Sequence, residues 1–313
     1  MSGQNQCRIA FIIPCLNEEG EIEKVVKDCK RHMPEATVYV YDNNSTDKTI
    51  DVARKSGAIV CSEPMRGKGH VVRRMFADID ADIYIMTDGD STYDLSCAPK
   101  MVQLLQGENL DMVVGTRQGI KESYPSGHKF GNWAFNCIVR ILFSHCFTDI
   151  FSGYRVFSRR FVKSFPSLSK GFDIETELSV HSLQMHLPVR EVSTPYGARG
   201  DQSQSKLNTF RDGFKILWRV LVLFKDAKPL WFFSIVFFLL LGCSLATGIP
   251  VIMEYFKTGL VPRFPTAVLS ASFMILSFLS LGCGVILDTV SRMRLESKRL
   301  NYLRFSPSSK KGT

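Results

Sequence analysis

No two cysteines in this chain form a CxxC pair; the nine (7, 15, 29, 61, 97, 137, 146, 243 and 283) are scattered. Neither a zinc ribbon nor a disulfide framework is therefore expected, and the thiols read as reduced packing residues. Histidine is scarce, six in all, and His128, His145 and His181 have no acid or cysteine at ligand spacing, so they read as structural. There is no internal repeat and no long low-complexity tract. The start, MSGQNQCRIAF, is polar and then strand-like, so no signal peptide is expected and the first 229 residues are expected in the cytoplasm.

Charge is missing altogether from residues 230–253 and 264–287. Each run of 24 residues makes a helix of about 36 Å, enough for a hydrocarbon core of about 30 Å. The reading is two membrane spans rather than two buried core helices. Lys225 and Lys228 precede the first run; Arg292, Arg294, Lys298, Arg299, Arg304, Lys310 and Lys311 follow the second. The connector, 254–263, has only Lys257 and Arg263 as basic residues, so the positive-inside rule puts both ends in the cytoplasm. Net charge is +9, yet 45% of residues are hydrophobic, too apolar for a basic nucleic-acid-binding protein. Residues 211–228, basic at 215, 219, 225 and 228 among large apolar side chains, read as an interfacial helix on anionic lipid or as a packed helix with basic ends.

Before the spans, strands alternate with helices. Strands are predicted at 8–13, 36–42, 58–63, 81–88 and 110–117, with helices after Glu18, after the turn at 43–47, from 67 and near 97. Such βα units imply an α/β fold with a mainly parallel sheet, whose ligands sit beyond the carboxyl ends of the strands. Those ends carry Asn17 and Glu18, Asp42, Asp88 and Asp90, and Arg117. Residues 118–131 are polar and turn-rich, the composition of an active-site loop.

YIMTDGDSTYDL (84–95) holds the pair Asp88 and Asp90. A calcium loop is excluded, because counting from Asp88 puts Tyr93 at position 6 and Pro99 at position 12, where glycine and glutamate are required. A helix cap suits Asp94 or Ser96 better. In extended backbone, residues two apart share a side, so both carboxylates should face one spot and repel unless a divalent cation intervenes. Mg²⁺ or Mn²⁺ fits, with substrate phosphates completing its shell.

IIPCLNEE (12–19), YDNNSTDKT (41–49), GKGHVVR (67–73) and MTDGDST (86–92) together resemble the signature of GT-A, family 2 glycosyltransferases. DIFSGYRVFSR (149–159) and SKLN (205–208) resemble the polyprenyl-phosphate branch, the dolichyl-phosphate mannose synthase-like and GtrB-type enzymes. The resemblance covers about residues 8–228. It implies a GT-A (Rossmann-like) catalytic domain at 1–209, a juxtamembrane helix at 210–229, two transmembrane helices at 230–289 and a basic tail at 290–313. It also implies a nucleotide pocket lined by Pro14, Asn17, Glu18 and Asp42, with Lys68 and Arg73 from the GKGHVVR motif, and a metal held by Asp88 and Asp90. Ser152, Arg155, Arg199 and Lys206 are implied for the acceptor phosphate. Relatives often carry glutamine where this chain has Thr92, which puts a third metal contact in question.

The implied reaction moves a hexose from a nucleotide diphosphate sugar, UDP-linked by expectation, to undecaprenyl phosphate at the cytoplasmic face of a bacterial inner membrane. The product is a lipid-linked sugar donor for cell-envelope glycan modification. The acceptor is already an anion, so cations matter more than a base; Arg117, Arg155, Arg199 and Lys206 are candidates. Glu175, in GFDIETEL (171–178), either contacts sugar hydroxyls or favours a helix N-terminus. A processive polysaccharide synthase is disfavoured, since no QxxRW motif is present. Intact acids and basic residues argue against an inactive membrane scaffold, and a nucleotidyltransferase would open with a glycine-rich loop. The resemblance suggests a homotetramer.

Overall fold

The computed structural model describes residues 7–118, 147–166, 174–197, 222, 224–226 and 228–306. The chain divides into two compact units: residues 1–126, 145–207 and 297–313, and residues 127–144 and 208–296.

In the first unit β1 (Ile9–Cys15), α1 (Ile22–His32), β2 (Thr37–Asp42), α2 (Thr49–Lys55), β3 (Ile59–Ser62), α3 (Lys68–Asp78), β4 (Ile83–Met86), α4 (Ala98–Gly107) and β5 (Met112–Gln118) follow the expected alternation. Every residue of β1 and β4 is buried, as apolar runs covered on both faces should be. On α1, Ile22, Val25, Val26 and Cys29 form the buried stripe that their spacing predicts. The sheet has more strands than the five predicted. β6 (Arg155–Ser158) and β7 (Val189–Pro195) complete the order β3-β2-β1-β4-β6-β5-β7, with short helices α5 (Arg159–Ser164) and α6 (Ile174–Gln184) between them. β6 runs antiparallel to β4 and β5; the other pairings are parallel. It has only four residues, too short to print a periodic signal.

The second unit holds α7 (Pro229–Thr258) and most of α8 (Phe264–Leu303), with mean hydropathies of 2.4 and 2.0 over their most apolar windows. Only 11% of either window is buried, which a soluble core helix would not show. α7 closes at Gly259, whose φ of 67° is left-handed and whose N–H donates to the Tyr255 carbonyl. The connector is thus shorter than the expected 254–263. The two helices are joined by small residues. Ser244 Oγ donates to the Ser270 carbonyl and Ser270 Oγ to that of Ser244, each at 2.8 Å. A Cβ on Gly248 would overlap Ser270 Oγ, and one on Gly284 would lie 2.8 Å from Phe233 Cβ. The interfacial helix expected at 210–229 lies almost wholly outside the described residues.

α8 continues well past its apolar run, so the tail expected from residue 290 is helical to Leu303. Its last turns belong to the first unit. There Tyr302 donates to Asp111 at 2.8 Å and Lys298 to Gln184 at 3.3 Å. Asp111 is fully buried and also accepts from Ser158 Oγ and both arms of Arg160, whose guanidinium lies 4.9 Å from the Tyr302 ring centroid. Nearby, the buried His181 packs edge-on against Phe161 and Phe165, and neither ring nitrogen has a hydrogen-bond partner. Burial, and then the charge of Lys298, pull its pKa down to about 3.

Two outcomes follow. Gly248→Leu should force α7 and α8 apart and cost about 1–3 kcal/mol, read as a lower unfolding midpoint in detergent. His181 is neutral in the fold, but its unfolded form takes a proton below about pH 6.5. Stability should therefore fall with pH from about 6.5 toward 3, by at most about 1.4 kcal/mol per unit. In urea melts at pH 7, 6 and 5, His181→Phe should reduce that slope.

Candidate active site

The parallel strands β1, β2 and β4 end on one rim, and the loops leaving them are tied together by hydrogen bonds. Asn17 sits at φ 57°, a left-handed conformation that asparagine tolerates. Its Oδ1 accepts from Thr46 N at 2.8 Å, and its own N–H donates to Ser45 Oγ. Glu18 N donates to Thr49 Oγ1, while Glu19 accepts from Lys48 N. Pro14 is buried within β1, opposite Tyr41. Asp42 is 2% exposed and accepts from Ser45 N, so its carboxylate holds the β2–α2 turn. Asn43 carries the network onward, donating to the carbonyls of Glu63 and Met65 and accepting from Gly67 N at 2.7 Å.

Gly67 has φ 128°, which a side chain would resist, and it delivers Lys68 to the start of α3. Lys68 Nζ lies 2.5 Å from Asp88 Oδ1 and 2.5 Å from Glu175 Oε1. The side chains of Lys68, Asp88 and Glu175 are 11%, 24% and 7% exposed. Burial pulls the Lys68 pKa down, but Asp88 and Glu175 more than reverse this and hold the ammonium well above its usual value. On the next turn of α3, Arg73 is exposed and its Nη2 lies 2.8 Å from His70 Nδ1.

β4 stops at Met86, short of the predicted end at residue 88, so the acidic pair lies beyond the strand. A turn brings it to the rim. Gly89 is required there, because a Cβ would come within 2.6 Å of Cys15 Sγ, and Ser91 has φ 56°. Asp90 Oδ1 accepts from Thr92 Oγ1 at 2.6 Å and from Thr92 N. Thr92, 2% exposed, thus orients the Asp90 carboxylate. The cap falls on Asp94, which accepts from Ser96 N. Tyr93 anchors the far side of the turn by accepting from Gly153 N at 2.9 Å, and it pairs with Tyr196 beyond β7. Gly153 leaves room on this side, since a Cβ there would lie 2.6 Å from Asp88 Oδ2 and displace the carboxylate.

Burial, and then Glu18, Asp42, Asp88 and Asp90, push the Cys15 thiol well above its usual pKa. Four carboxylates thus lie near enough to act on one buried sulfur at the end of β1. Among the described residues no group of three histidine, cysteine, aspartate or glutamate side chains could hold a metal ion. Asp88 and Asp90 offer two hard oxygen donors on one turn. That suits Mg²⁺ or Mn²⁺, which need one or two carboxylates and take the remaining ligands from phosphate and water.

Of the residues expected at an acceptor phosphate, Ser152 and Arg155 are described. Ser152 is fully buried and donates to the Gly115 carbonyl. Arg155, also fully buried, donates to the carbonyls of Ser152 and Ile150 and to Ser179 Oγ. Burial lowers its pKa to about 10. It braces the segment ahead of β6 through these backbone oxygens. Arg117 forms a two-pronged pair with Asp149, both contacts at 2.7 Å, and lies 5.5 Å from the Tyr196 ring centroid. Arg199 and Lys206 lie outside the described residues. Glu175 is at the rim, but its neighbour is Lys68, a pairing that nothing in their separation along the sequence signals.

The family model for glycosyl transferase family 2 matches residues 10–163. The chain is 32% identical over 301 residues to glycosyltransferase AglJ of Haloferax volcanii, covering 94% of this chain and 98% of that one. It is 28% identical over 210 residues to a dolichyl-phosphate hexose transferase of the same organism, covering 66% and 90%. The fold superposes with TM-score 0.57 and 25% identity on glucosyl-3-phosphoglycerate synthase from Mycobacterium tuberculosis, solved with Mn²⁺, UDP-glucose and phosphoglyceric acid, over 69% of this chain and 80% of that one. These relatives support the polyprenyl-phosphate branch, and the chain belongs to glycosyl transferase family 2, with the GT-A fold.

Proposed function

We propose that this protein transfers a hexose from a UDP-sugar to undecaprenyl phosphate at the cytoplasmic membrane face. The observation that carries the reading is the turn after β4, which bears both Asp88 and Asp90, with Asp88 paired to Lys68 and Lys68 in turn to Glu175. It gains support from the dolichyl-phosphate relative and from two helices long enough to cross a bilayer, since a polyprenyl tail needs one.

An acceptor phosphate oxygen attacks the anomeric carbon, the bond from that carbon to the diphosphate oxygen breaks, and UDP leaves. One displacement inverts the centre, so an α-linked donor gives a β-linked lipid. A Mg²⁺ or Mn²⁺ held by Asp88 and Asp90 supplies Lewis-acid neutralisation of the leaving diphosphate. Lys68 adds a buried positive charge on the same side. The acceptor is an anion at neutral pH and needs no strong base. Arg199 and Lys206 are the proposed holders of its phosphate, while Arg117, clamped to Asp149, borders the rim. Asn17, Glu18 and Asp42 form the proposed nucleotide side of the pocket, where the β1–α1 and β2–α2 loops meet.

Purified full-length protein, given undecaprenyl phosphate and a panel of sugar nucleotides with Mn²⁺ or Mg²⁺, should release a nucleoside diphosphate and form a glycolipid. NMR of that lipid should show a β anomer; no turnover with any donor, or a retained anomer, would refute the reading. Asp90→Ala should lower turnover by at least about 100-fold, in the range of losing a main electrostatic group, with an unchanged melting midpoint. Wild-type turnover in that variant would remove the metal from the reaction.

A further inference from the structure

Lys68 occupies the position from which a cation meets Asp88. Its ammonium contacts Asp88 Oδ1, while Oδ2 packs against the Gly153 backbone so closely that a Cβ there would lie 2.6 Å away. One oxygen of this carboxylate therefore has a cation as its partner before any metal ion arrives. A divalent ion on the same group would face the Lys68 charge at short range in a partly buried site, where repulsion between like charges is strong. Lys68 also cannot swing freely into solvent, because Glu175 holds it from the other side at 2.5 Å. A bound diphosphate changes the balance, since its negative oxygens can sit beside both cations. Asp90 Oδ1, for its part, accepts from Thr92 Oγ1.

On the glycosyl-transfer reading above, we propose that Lys68 is a positioning cation that weakens divalent-metal binding in the empty site, so that metal and nucleoside diphosphate enter as a linked pair. Glu175 serves this arrangement by fixing Lys68 against Asp88. The same ammonium that opposes the metal in the empty site then has the donor's diphosphate as a partner.

The test measures Mn²⁺ dissociation constants for the full-length protein in detergent, by the EPR signal of free Mn²⁺, with no nucleotide, with UDP and with GDP. In wild type, the matching nucleoside diphosphate should tighten Mn²⁺ binding by about tenfold or more. Lys68→Met alone would also alter net charge, so the decisive variant is Lys68→Met with Glu175→Gln, which removes one charge of each sign. It should bind Mn²⁺ about tenfold or more tighter than wild type without nucleotide, and the effect of nucleotide should shrink correspondingly. Lys68→Arg should keep the wild-type linkage. Should that double variant not fold, Lys68→Gln with Glu175→Gln, which also removes one charge of each sign and keeps a hydrogen-bond donor at position 68, carries the same expectation. Unchanged metal affinity in the empty site of the variant, with wild type still showing the linkage, overturns this inference alone. Wild-type protein that binds neither nucleotide nor Mn²⁺ overturns the glycosyl-transfer reading, and this inference with it.

Discussion

Taking two carboxylates and an ammonium out of water costs several kcal/mol per ion, and only close mutual contact offsets that cost. Lys68, Asp88 and Glu175 meet this condition by sharing one ammonium between two carboxylates. The partners come from α3, from the turn after β4 and from α6, so all three must be in place before any of the charges is compensated. Gly67 sets the approach of Lys68, and Gly153 clears the space beside Asp88. Removing one partner would leave a buried charge unopposed, which is why the rim behaves as one unit rather than as separate loops.

Around this core the rim is made rigid by short polar side chains. Asn17, Ser45, Thr46 and Thr49 link the loops after β1 and β2, and Asn43 extends the link to Gly67. Each bond contributes about 1 kcal/mol, but together they fix the loop backbone to which a nucleotide would have to fit. On the other flank, Tyr93 and Tyr196 pin the acidic turn to β7, and Arg155 braces the segment that delivers Gly153. Farther off, Asp111, Arg160 and Tyr302 hold the end of α8 to the same unit.

Much of the fold was legible because long periodic segments carry their own signal. The stripe on α1, the apolar runs of β1 and β4, and the charge-free stretches of α7 and α8 all appear where pattern put them. β6 and β7 were missed: one is four residues long and the other is only partly buried, so neither alternates clearly. The loop that carries Asp88 and Asp90 was legible in the sequence, but its form was not. Extended backbone was expected through residue 88, whereas β4 ends at Met86 and a turn follows at Gly89. The motif that singled out Ser152 and Arg155 did not show their burial or their backbone partners, because a motif identifies residues without saying which way they face.

The sequence by itself determined the order of strands and helices, the two apolar helices and the acid-bearing loops, since these follow from local periodicity and charge. Tertiary structure decided which charges meet. Lys68 and Glu175 are far apart in the chain, and neither has a local pattern that names the other. Their contact exists because the sheet brings the start of α3 and the start of α6 to the same strand ends. Burial likewise decided that Arg155 braces backbone carbonyls and that Thr92 serves Asp90, since a buried donor must find the nearest acceptor.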